Sequence, residues 1–402
     1  MRRFFSVLLI LAVLLSLSGC GAGRDKAEGS ATITIWHDKE EPVVQVLQAA
    51  LTKLEPDLHV VFEKKSSLTE SLKLVGNDPK AAPDMYLFAH DKMGVYAEMG
   101  ILTPVTDLIG EDAFADYLPL TVKAASYKGV QYQLPLYFET LLFMYNRKYM
   151  SKEEIPETTE ALYDYMERKT KYGHYGFVEQ HSTPYYAAGW IHAFGSALID
   201  GDGAPLLNAQ ATKDALSYHL KFVRLMPGET EYATVNTLFT EGKAHATIAG
   251  PWFVPTVRNA GIDVGIAPMP VVDQTGLPLA PYSGVQGVHV LRVAAERKPD
   301  AVKKVLEALM DPQVSVDLAL VSGCAPAQAS CYESGEIKTN ELVMAMRQTA
   351  ESAVPMPSLP EMDVMWTVAG NLLTNVNMSG QDVDTAAEEA QKKAIELIEA
   401  MK

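Results

Sequence analysis

A short apolar strand that runs straight into a charged cluster is the feature that most restricts how this chain can fold. The strand is predicted over residues 85–89, and a helical pattern closed by Gly100 comes after the cluster. Between them stand three polar residues, His90, Asp91 and Lys92. Open α/β sheets bind their ligands at the carboxyl ends of strands. The stretch therefore predicts a polar binding site at a sheet edge.

The same order of strand, charged residues and helix occurs earlier in the chain. Residues 31–36 alternate β-branched and apolar side chains, charged residues 37–41 follow, and Pro42 can begin the next helix. A second strand and helix are predicted over residues 58–62 and 67–75. This alternation predicts an α/β fold with a doubly wound sheet.

Length and charge restrict the organisation and the partners of the chain. At 402 residues with 48% hydrophobic residues, the chain exceeds the roughly 250–300 residues at which a single core stops growing. Two lobes are therefore expected. The net charge of −16 repels a phosphate backbone, so nucleic acid is not expected as a partner.

The amino terminus has the pattern of an exported protein. Two arginines precede an apolar run over residues 4–17, which is shorter than the roughly 20 residues of a membrane span. Residues 17–20, Leu-Ser-Gly-Cys, resemble the bacterial lipobox. The expectation is a signal peptide over residues 1–19, a lipidated Cys20 that anchors the protein outside the cytoplasm, and a tether over residues 21–30. A plain signal peptide with an incidental cysteine is the alternative.

The other two cysteines, Cys324 and Cys331, lie close together in a stretch with the composition of a loop. Outside the cytoplasm such a pair favours a disulfide, and two free buried thiols are the alternative. No histidine or third cysteine stands at a zinc-like spacing, so no metal site is expected.

Glu139 and Trp252 are candidate site residues because each is unusual in its surroundings. Residues 137–146 predict one apolar strand, in which Glu139 is the only acid and must be solvated, paired or bound to a ligand. Residues 239–252 predict the end of a helix, a glycine turn, a short strand and then an exposed Trp252 beside Pro251.

Four groups of residues together resemble the bacterial extracellular solute-binding proteins of ABC importers, in particular the maltose and maltodextrin branch. They are Pro83-Asp84 with Ala89-His90-Asp91-Lys92, Gly94, Tyr96-Ala97 and Gly100; Leu134-Pro135 with Glu139 and Tyr145-Asn146; Phe239 with Gly242-Lys243 and Gly250-Pro251-Trp252; and Met356-Pro357 with Pro360 and Trp366. The similarity covers the chain from about Ala31 to its end.

The resemblance implies two hinged α/β lobes, each a sheet flanked by helices, that close over an α-glucan. The N-lobe would comprise residues 31–137 and 287–326, and the C-lobe residues 138–286 and 327–402. Such a protein is a monomer that needs no cofactor and delivers sugar to an ABC permease. The residues that would bind the sugar are Asp38, Lys39, Phe88, Asp91, Lys92, Glu139, Tyr185, Trp252 and Trp366, with Glu70 as a further neighbour.

The chain departs from the maltose-binding pattern at several of these positions. Phe88 and Lys92 stand where tryptophan and arginine are usual, and Thr183, Thr367 and Gly370 replace an acid, a tyrosine and an arginine. Loss of the arginine fork weakens planar bidentate recognition. Two alternatives therefore stay open: a protein that binds another oligosaccharide or serves a membrane sensor, and a glycoside hydrolase that uses Asp91 and Glu139.

Overall fold

The computed structural model describes residues 31–54 and 56–401. The predicted signal peptide, Cys20 and the tether lie outside the described residues. The strands are β1 Ala31–His37, β2 Leu58–Lys64, β3 Met85–Ala89, β4 Leu102–Thr103, β5 Ser126–Tyr127, β6 Val130–Gln131, β7 Gln133–Thr140, β8 Leu142–Asn146, β9 Ala246–Ala249, β10 Val264–Ala267, β11 Tyr282–Leu291, β12 Ala325–Pro326 and β13 Val354–Pro355.

The α-helices of the described residues lie between these strands and after the last of them. They are α1 Glu41–Thr52, α2 Leu68–Val75, α3 Met93–Glu98, α4 Thr106–Ile109, α5 Pro119–Ala124, α6 Thr159–Lys169, α7 Pro184–Ala193, α8 Gln210–Val223, α9 Tyr232–Thr240, α10 Val254–Asn259, α11 Arg292–Arg297, α12 Pro299–Leu309, α13 Pro312–Ser322, α14 Gly335–Lys338, α15 Glu341–Thr349, α16 Met362–Asn377 and α17 Val383–Glu399. Short 3-10 helices cover His90–Lys92, Glu111–Phe114, Lys152–Glu154, Pro251–Phe253 and Ser330–Glu333.

The larger sheet is mixed and runs in the order β12-β7-β11-β3-β1-β2, with β4 and β13 also paired to β11. β1 pairs in parallel with β2 and β3, in agreement with the strand and helix alternation. β11 is antiparallel to both β3 and β7, so strands from later in the chain make this sheet mixed. Because β1 and β3 are parallel neighbours, the charged residues that follow each strand lie at the same sheet edge.

Residues 137–146, predicted as one strand, belong to two strands in different sheets. β7 ends at Thr140 in the larger sheet, whereas β8 begins at Leu142 in an antiparallel sheet of order β10-β8-β9. The Thr140 hydroxyl donates to the Tyr282 carbonyl at 3.0 Å and joins the end of β7 to the start of β11. Every residue of the two strands is buried except Glu139, which is partly buried, so the burial pattern does not indicate where one strand ends and the other begins.

Several apolar cores form: one packs on the larger sheet, another packs on β8, β9 and β10 of the smaller sheet, and a third contains residues of both sheets. In the larger sheet, β1, β3 and β11 bury their apolar side chains against α1 and α12. Helix α12 illustrates the local cause, because Pro299 begins it and its buried residues recur at helical spacing, at Val302, Val305, Leu306 and Leu309. A different core joins α7, α16 and α17.

The expected disulfide between Cys324 and Cys331 is not formed, and both cysteines are free and buried. The two thiols have different surroundings. The Cys324 thiol lies 3.7 Å from Glu139 Oε2, whereas the Cys331 thiol lies 3.4 Å from the Pro312 carbonyl. The strand β12 that follows Cys324 pairs with β7, and Cys331 lies in the next 3-10 helix. The pairing of β12 with β7, which closeness in sequence does not indicate, gives the two thiols different neighbours.

Alkylation of the denatured, unreduced protein is expected to label both Cys324 and Cys331, because each is a free thiol in the fold. Peptide mapping by mass spectrometry gives the measurement, and a sample reduced before alkylation is the control. Recovery of a disulfide-linked peptide that contains both residues would contradict this result.

Candidate functional site

One part of the site lies where β1 and β3 end beside each other. Asp38 and Lys39 follow β1, and their charged groups lie 2.7 Å apart. The Lys39 ammonium also lies 5.4 Å from the ring centroid of Phe88, which is in β3. A cation over an aromatic face is attracted to the ring electrons. The edge of the sheet thus presents an acid, a cation and an aromatic ring within one small area.

Glu139 lies in the same area, near the end of β7. It pairs across the sheet with Gly284 of β11, and the Gln286 amide nitrogen donates to Glu139 Oε1 at 3.3 Å. Burial raises the pKa of the Glu139 carboxyl above its ordinary value, although the nearby Lys39 ammonium opposes this effect. Asp38, Lys39 and Glu139 line one cavity of about 360 Å³, whose wall also includes Tyr137, Gln286 and Cys324.

His90 holds the neighbouring segment in place. Its ring is fully buried; the Val285 backbone N–H donates to Nδ1 at 3.1 Å, and Nε2 lies 2.8 Å from the Met356 carbonyl. Because Nδ1 accepts, the proton is on Nε2, which donates to that carbonyl. Burial lowers the pKa of His90 and keeps the ring neutral. This connection fixes Asp91 and Lys92 against β11 and the segment after β13.

Gly94 allows the same segment to approach closely. A Cβ at this position would lie 1.9 Å from the Ser358 carbonyl oxygen, so no other residue fits without movement of the backbone. The Gly94 of the motif therefore has a packing reason, because helix α3 lies directly against residues that lead into α16.

Lys92 connects the polar residues to helix α16. Its ammonium contacts the Asp363 carboxylate and lies 4.0 Å from Asp91 Oδ2. Asp363 precedes Trp366 by three residues on α16, so the two lie on neighbouring positions of one helix face. The ion pair thus brings the helix that carries Trp366 next to the sheet edge that carries Asp91.

Four aromatic side chains, here called the aromatic cluster, lie near one another: Tyr185, Trp252, Tyr282 and Trp366. The Tyr185 ring centroid lies 6.4 Å from that of Trp252 and 6.3 Å from that of Tyr282, and Tyr282 lies 5.7 Å from Trp366. Burial raises the pKa of the Tyr185 phenol well above its usual value, and the charges of Glu139 and Asp91 act in the same direction. The aromatic cluster is therefore close to the acids.

The Gly250-Pro251-Trp252 motif shapes this surface. A Cβ on Gly250 would lie 2.2 Å from the Trp252 ring, so the indole lies directly over the glycine. Pro251 begins the short 3-10 helix, which fixes the direction of the chain. Trp252 keeps 37% of its surface exposed, as the sequence predicts, and an exposed indole face suits contact with a flat apolar ligand surface.

Three of the candidate residues, Asp38, Lys39 and Glu139, line one cavity, and the others are linked by single contacts. Their role as sugar ligands stays a prediction.

Glu70 is exposed and pairs with Lys73 on its own helix at 3.3 Å. Burial raises the pKa of the Tyr96 phenol, and the charges of Glu70, Asp91 and Asp363 act in the same direction, so Glu70 as a neighbour of the site stays a prediction.

Sequence reasoning missed Asp363, Gln286 and Tyr282 as neighbours of the site. Only Asp363 carried a usable signal, because it is one helical turn from Trp366.

Glu139→Gln is expected to raise the melting temperature of the sugar-free protein at pH 7.5. A folded-state pKa above the value of about 4.3 for an unfolded glutamate means that protonated Glu139 stabilises the fold. That stabilisation is complete below about pH 4.3 and is lost as pH rises through the folded-state pKa. The neutral variant does not lose it, so its advantage should shrink towards pH 4. Thermal unfolding across this range, with wild type alongside, provides the measurement; a constant difference would contradict the argument.

Two further observations concern the residues that the structure describes. None of their helices is both long and apolar enough to cross a bilayer. Within the same residues, no group of three or more histidine, cysteine, aspartate or glutamate side chains is arranged to hold a metal ion.

A large mixed sheet, a smaller sheet and a polar sheet edge close to an aromatic cluster are features expected of a solute-binding protein. The chain belongs to the bacterial extracellular solute-binding protein family, whose profile matches residues 48–345. The resemblance found in the four motifs is thereby confirmed.

Individual relatives and solved structures are similar over nearly the whole chain. The maltotriose-binding protein of Pyrococcus abyssi is 31% identical over 84% of this chain and 76% of its own length. The galactooligosaccharide-binding protein of Bacillus subtilis is 27% identical over 96% of this chain and 95% of its own length.

Solved structures agree with the two-lobe α/β fold that the motifs implied. A cyclo/maltodextrin-binding protein complexed with maltotetraose matches with a TM-score of 0.85 and 27% identity, over 94% of this chain and 100% of the other. The maltose/maltodextrin-binding domain from Bdellovibrio bacteriovorus, bound to maltotriose, matches with a TM-score of 0.75 and 29% identity, over 92% and 100%. The predicted fold class is confirmed.

Proposed function

We propose that this protein captures maltooligosaccharides between its two lobes and delivers them to the permease of an ABC importer. The observation that carries the proposal is the closeness of the aromatic cluster to charged side chains at the sheet edge. A sugar has hydroxyls around its ring and apolar ring faces, so its site needs polar groups and flat aromatic surfaces together. The protein would act as a monomer and without a cofactor.

Each candidate residue has a role that follows from its chemistry. Hydroxyl groups of the sugar donate to the carboxylates of Asp38, Asp91 and Glu139. The ammonium groups of Lys39 and Lys92 donate to sugar oxygens, and Phe88 offers an apolar edge. Tyr185, Trp252 and Trp366 cover ring faces. No bond of the sugar is made or broken, and closure of the lobes is driven by contacts that the sugar makes only in the closed form.

The choice of maltooligosaccharide is supported by the names and bound sugars of the relatives. One relative is named for maltotriose, and two similar structures hold maltotetraose and maltotriose. The residue boundaries of the lobes, 31–137 with 287–326 and 138–286 with 327–402, belong to the same proposal. The hydrolase alternative receives no support from these relatives, which are binding proteins.

Calorimetry with a panel of sugars tests the proposal. Maltose, maltotriose and maltotetraose are expected to bind, and intrinsic fluorescence should change because Trp252 and Trp366 are in the site. Cellotriose is the control, since it has the same sugar units in a different linkage. Binding of a galactooligosaccharide, the sugar in the name of the B. subtilis relative, with no response to any α-glucan at millimolar concentration would contradict the proposal.

Lipid anchorage through Cys20 is part of the proposal, and a separate variant tests it. Cys20→Ala is expected to move the protein from the membrane fraction to the soluble fraction, because the lipidated side chain is lost. Immunoblots of the two fractions give the measurement, with Cys331→Ala as the control. A Cys20→Ala protein that stays with the membrane would contradict the anchor.

A further inference from the structure

The segment that carries Asp38 and Lys39 is short and belongs to no helix or strand. Residues 38–40 connect the end of β1 to the start of α1. The backbone groups of such a segment need partners outside regular structure. The Lys39 backbone N–H finds one in His37, because it donates to the ring Nδ1 at 3.2 Å. An acceptor two residues before the amide is the arrangement of an Asx turn, here made by an imidazole.

His37 gives this hydrogen bond a rigid base. Its backbone pairs with Lys64 of β2 and with Leu87 of β3, and its carbonyl accepts from the Lys65 N–H at 2.8 Å. Its ring is only 4% exposed and packs edge-on against Phe62, with 6.1 Å between the ring centroids. Because the sheet holds the backbone on both sides and packing holds the ring, Nδ1 stays in one position.

The charged groups at the cavity wall depend on the same segment. Asp38 and Lys39 both line the cavity beside Glu139. The Lys39 ammonium lies 2.7 Å from the Asp38 carboxylate and 5.4 Å from the ring centroid of Phe88. Lysine carries its ammonium on a flexible four-carbon stem, so the group is well placed only where the backbone below it is fixed.

We propose that His37 is a positioning residue of the sugar site, whose Nδ1 holds the Lys39 backbone N–H and thereby places the Asp38 and Lys39 side chains at the cavity wall. This inference rests on the proposed function, in which those two side chains bind sugar hydroxyls. His37 itself need not touch the sugar. Nδ1 accepts only while it carries no proton, so the proton of the neutral ring is on Nε2. Protonation of Nδ1 breaks the hydrogen bond and should weaken sugar binding.

The surroundings of His37 set the direction of this pH dependence. Burial lowers the pKa of the imidazole below its ordinary value of 6.5, and the charge of Lys64 on β2 acts in the same direction. On the segment itself, the Lys39 charge also lowers the pKa, and the Asp38 charge raises it. The ring is therefore neutral at pH 7.5, where the hydrogen bond is present. The bond is lost as pH falls through the folded-state pKa, so affinity should fall only below about pH 6.5.

Two variants separate the hydrogen bond from the packing of the ring. In His37→Asn, Oδ1 stands as many bonds from Cα as Nδ1 does and can accept from the same N–H. His37→Phe keeps a ring against Phe62 but has no acceptor. At pH 7.5, His37→Phe should raise the Kd for maltotriose about tenfold, whereas His37→Asn should stay within about twofold of wild type. The melting temperatures should have the opposite order, because only the asparagine variant loses the ring contact.

The pH profile is a readout that packing alone does not change. Calorimetry with maltotriose is repeated between about pH 5 and pH 8, where histidine titrates. The ratio of the wild-type Kd to the His37→Asn Kd should be near one at pH 7.5 and rise towards about tenfold as pH falls, because only wild type loses its acceptor. Titration of Asp38 and Glu139 is common to both proteins and cancels in this ratio. If His37→Phe does not fold, the ratio still decides.

His174→Asn is the matched control. His174 is exposed and pairs with Lys171 in a turn outside the cavity. This variant makes the same chemical change away from the site, so it should alter neither the Kd nor its dependence on pH.

The outcomes separate the two proposals. If wild type binds maltotriose and His37→Phe keeps the wild-type Kd, the inference is wrong and the proposed function stands. If His37→Asn loses as much affinity as His37→Phe and the ratio does not change with pH, the ring has only a packing role, which also overturns the inference. If wild type binds no α-glucan, the proposed function fails and this inference fails with it.

Discussion

Trp252→Ala is expected to raise the Kd for maltotriose about thirtyfold while the protein remains folded. Trp252 offers its exposed indole face beside Tyr185, and truncation of an aromatic residue at the centre of a binding surface typically costs about 2 kcal/mol. Its exposure of 37% means that little of the core depends on it. Calorimetry gives the affinity, and thermal unfolding gives the stability.

Tyr172→Ala is the matched control for this prediction. Tyr172 is 95% exposed, and its loss removes a surface aromatic residue outside the aromatic cluster. It should change neither the affinity nor the melting temperature measurably. An unchanged Kd for Trp252→Ala would show that the indole does not contact the sugar.

His219→Leu is expected to destabilise the protein by about 1–3 kcal/mol, the typical cost when a buried hydrogen-bonding group loses its partner. Glu179 is fully buried; its Oε1 lies 2.6 Å from His219 Nε2 and accepts from the Trp190 indole at 2.9 Å. Its other oxygen has no partner among the described residues. Without the imidazole, the carboxylate keeps only the indole as a donor. Chemical denaturation measures the change in the free energy of unfolding.

The double variant Glu179→Met with His219→Leu separates the cost of leaving the buried Glu179 carboxyl group unpaired from the loss of its contact with His219. Because both polar partners are then replaced by apolar side chains, most of the lost stability should return. Lys393→Ala, which breaks an exposed pair with Glu396 at 3.1 Å, serves as a surface control and should cost at most about 1 kcal/mol. A loss for His219→Leu as small as that of the surface control would contradict the prediction.

The sequence predicted the local elements of the first part of the chain closely. The strand over residues 85–89 has the predicted bounds. The strand predicted over residues 31–36 extends one residue further, to His37. These elements follow from the alternation of apolar and polar residues and from proline and glycine at the element ends. Both signals act over a few residues. The motifs also indicated the family, because their residues meet local packing requirements. One example is Gly250, over which the indole of Trp252 lies.

Contacts between distant residues could not be predicted in the same way. Lys92 was expected to donate to sugar, yet its ammonium also pairs with Asp363, 271 residues away. Cys324 and Cys331 are seven residues apart, yet the pairing of β12 with β7 gives them different surroundings. Such contacts depend on which elements pack together in the fold. The hydrophobic periodicity of one segment does not indicate which distant segment it will contact.

What the sequence by itself determined is the α/β character, the polar cluster after residues 85–89 and the motifs of a solute-binding protein. Local propensity and hydrophobic periodicity are sufficient for these. Only the tertiary structure decided that residues 137–146 divide between two sheets and that Glu139 of β7 meets Gln286 of β11. The physical reason is that burial and hydrogen bonding of these groups are set by strands and helices far apart in the chain.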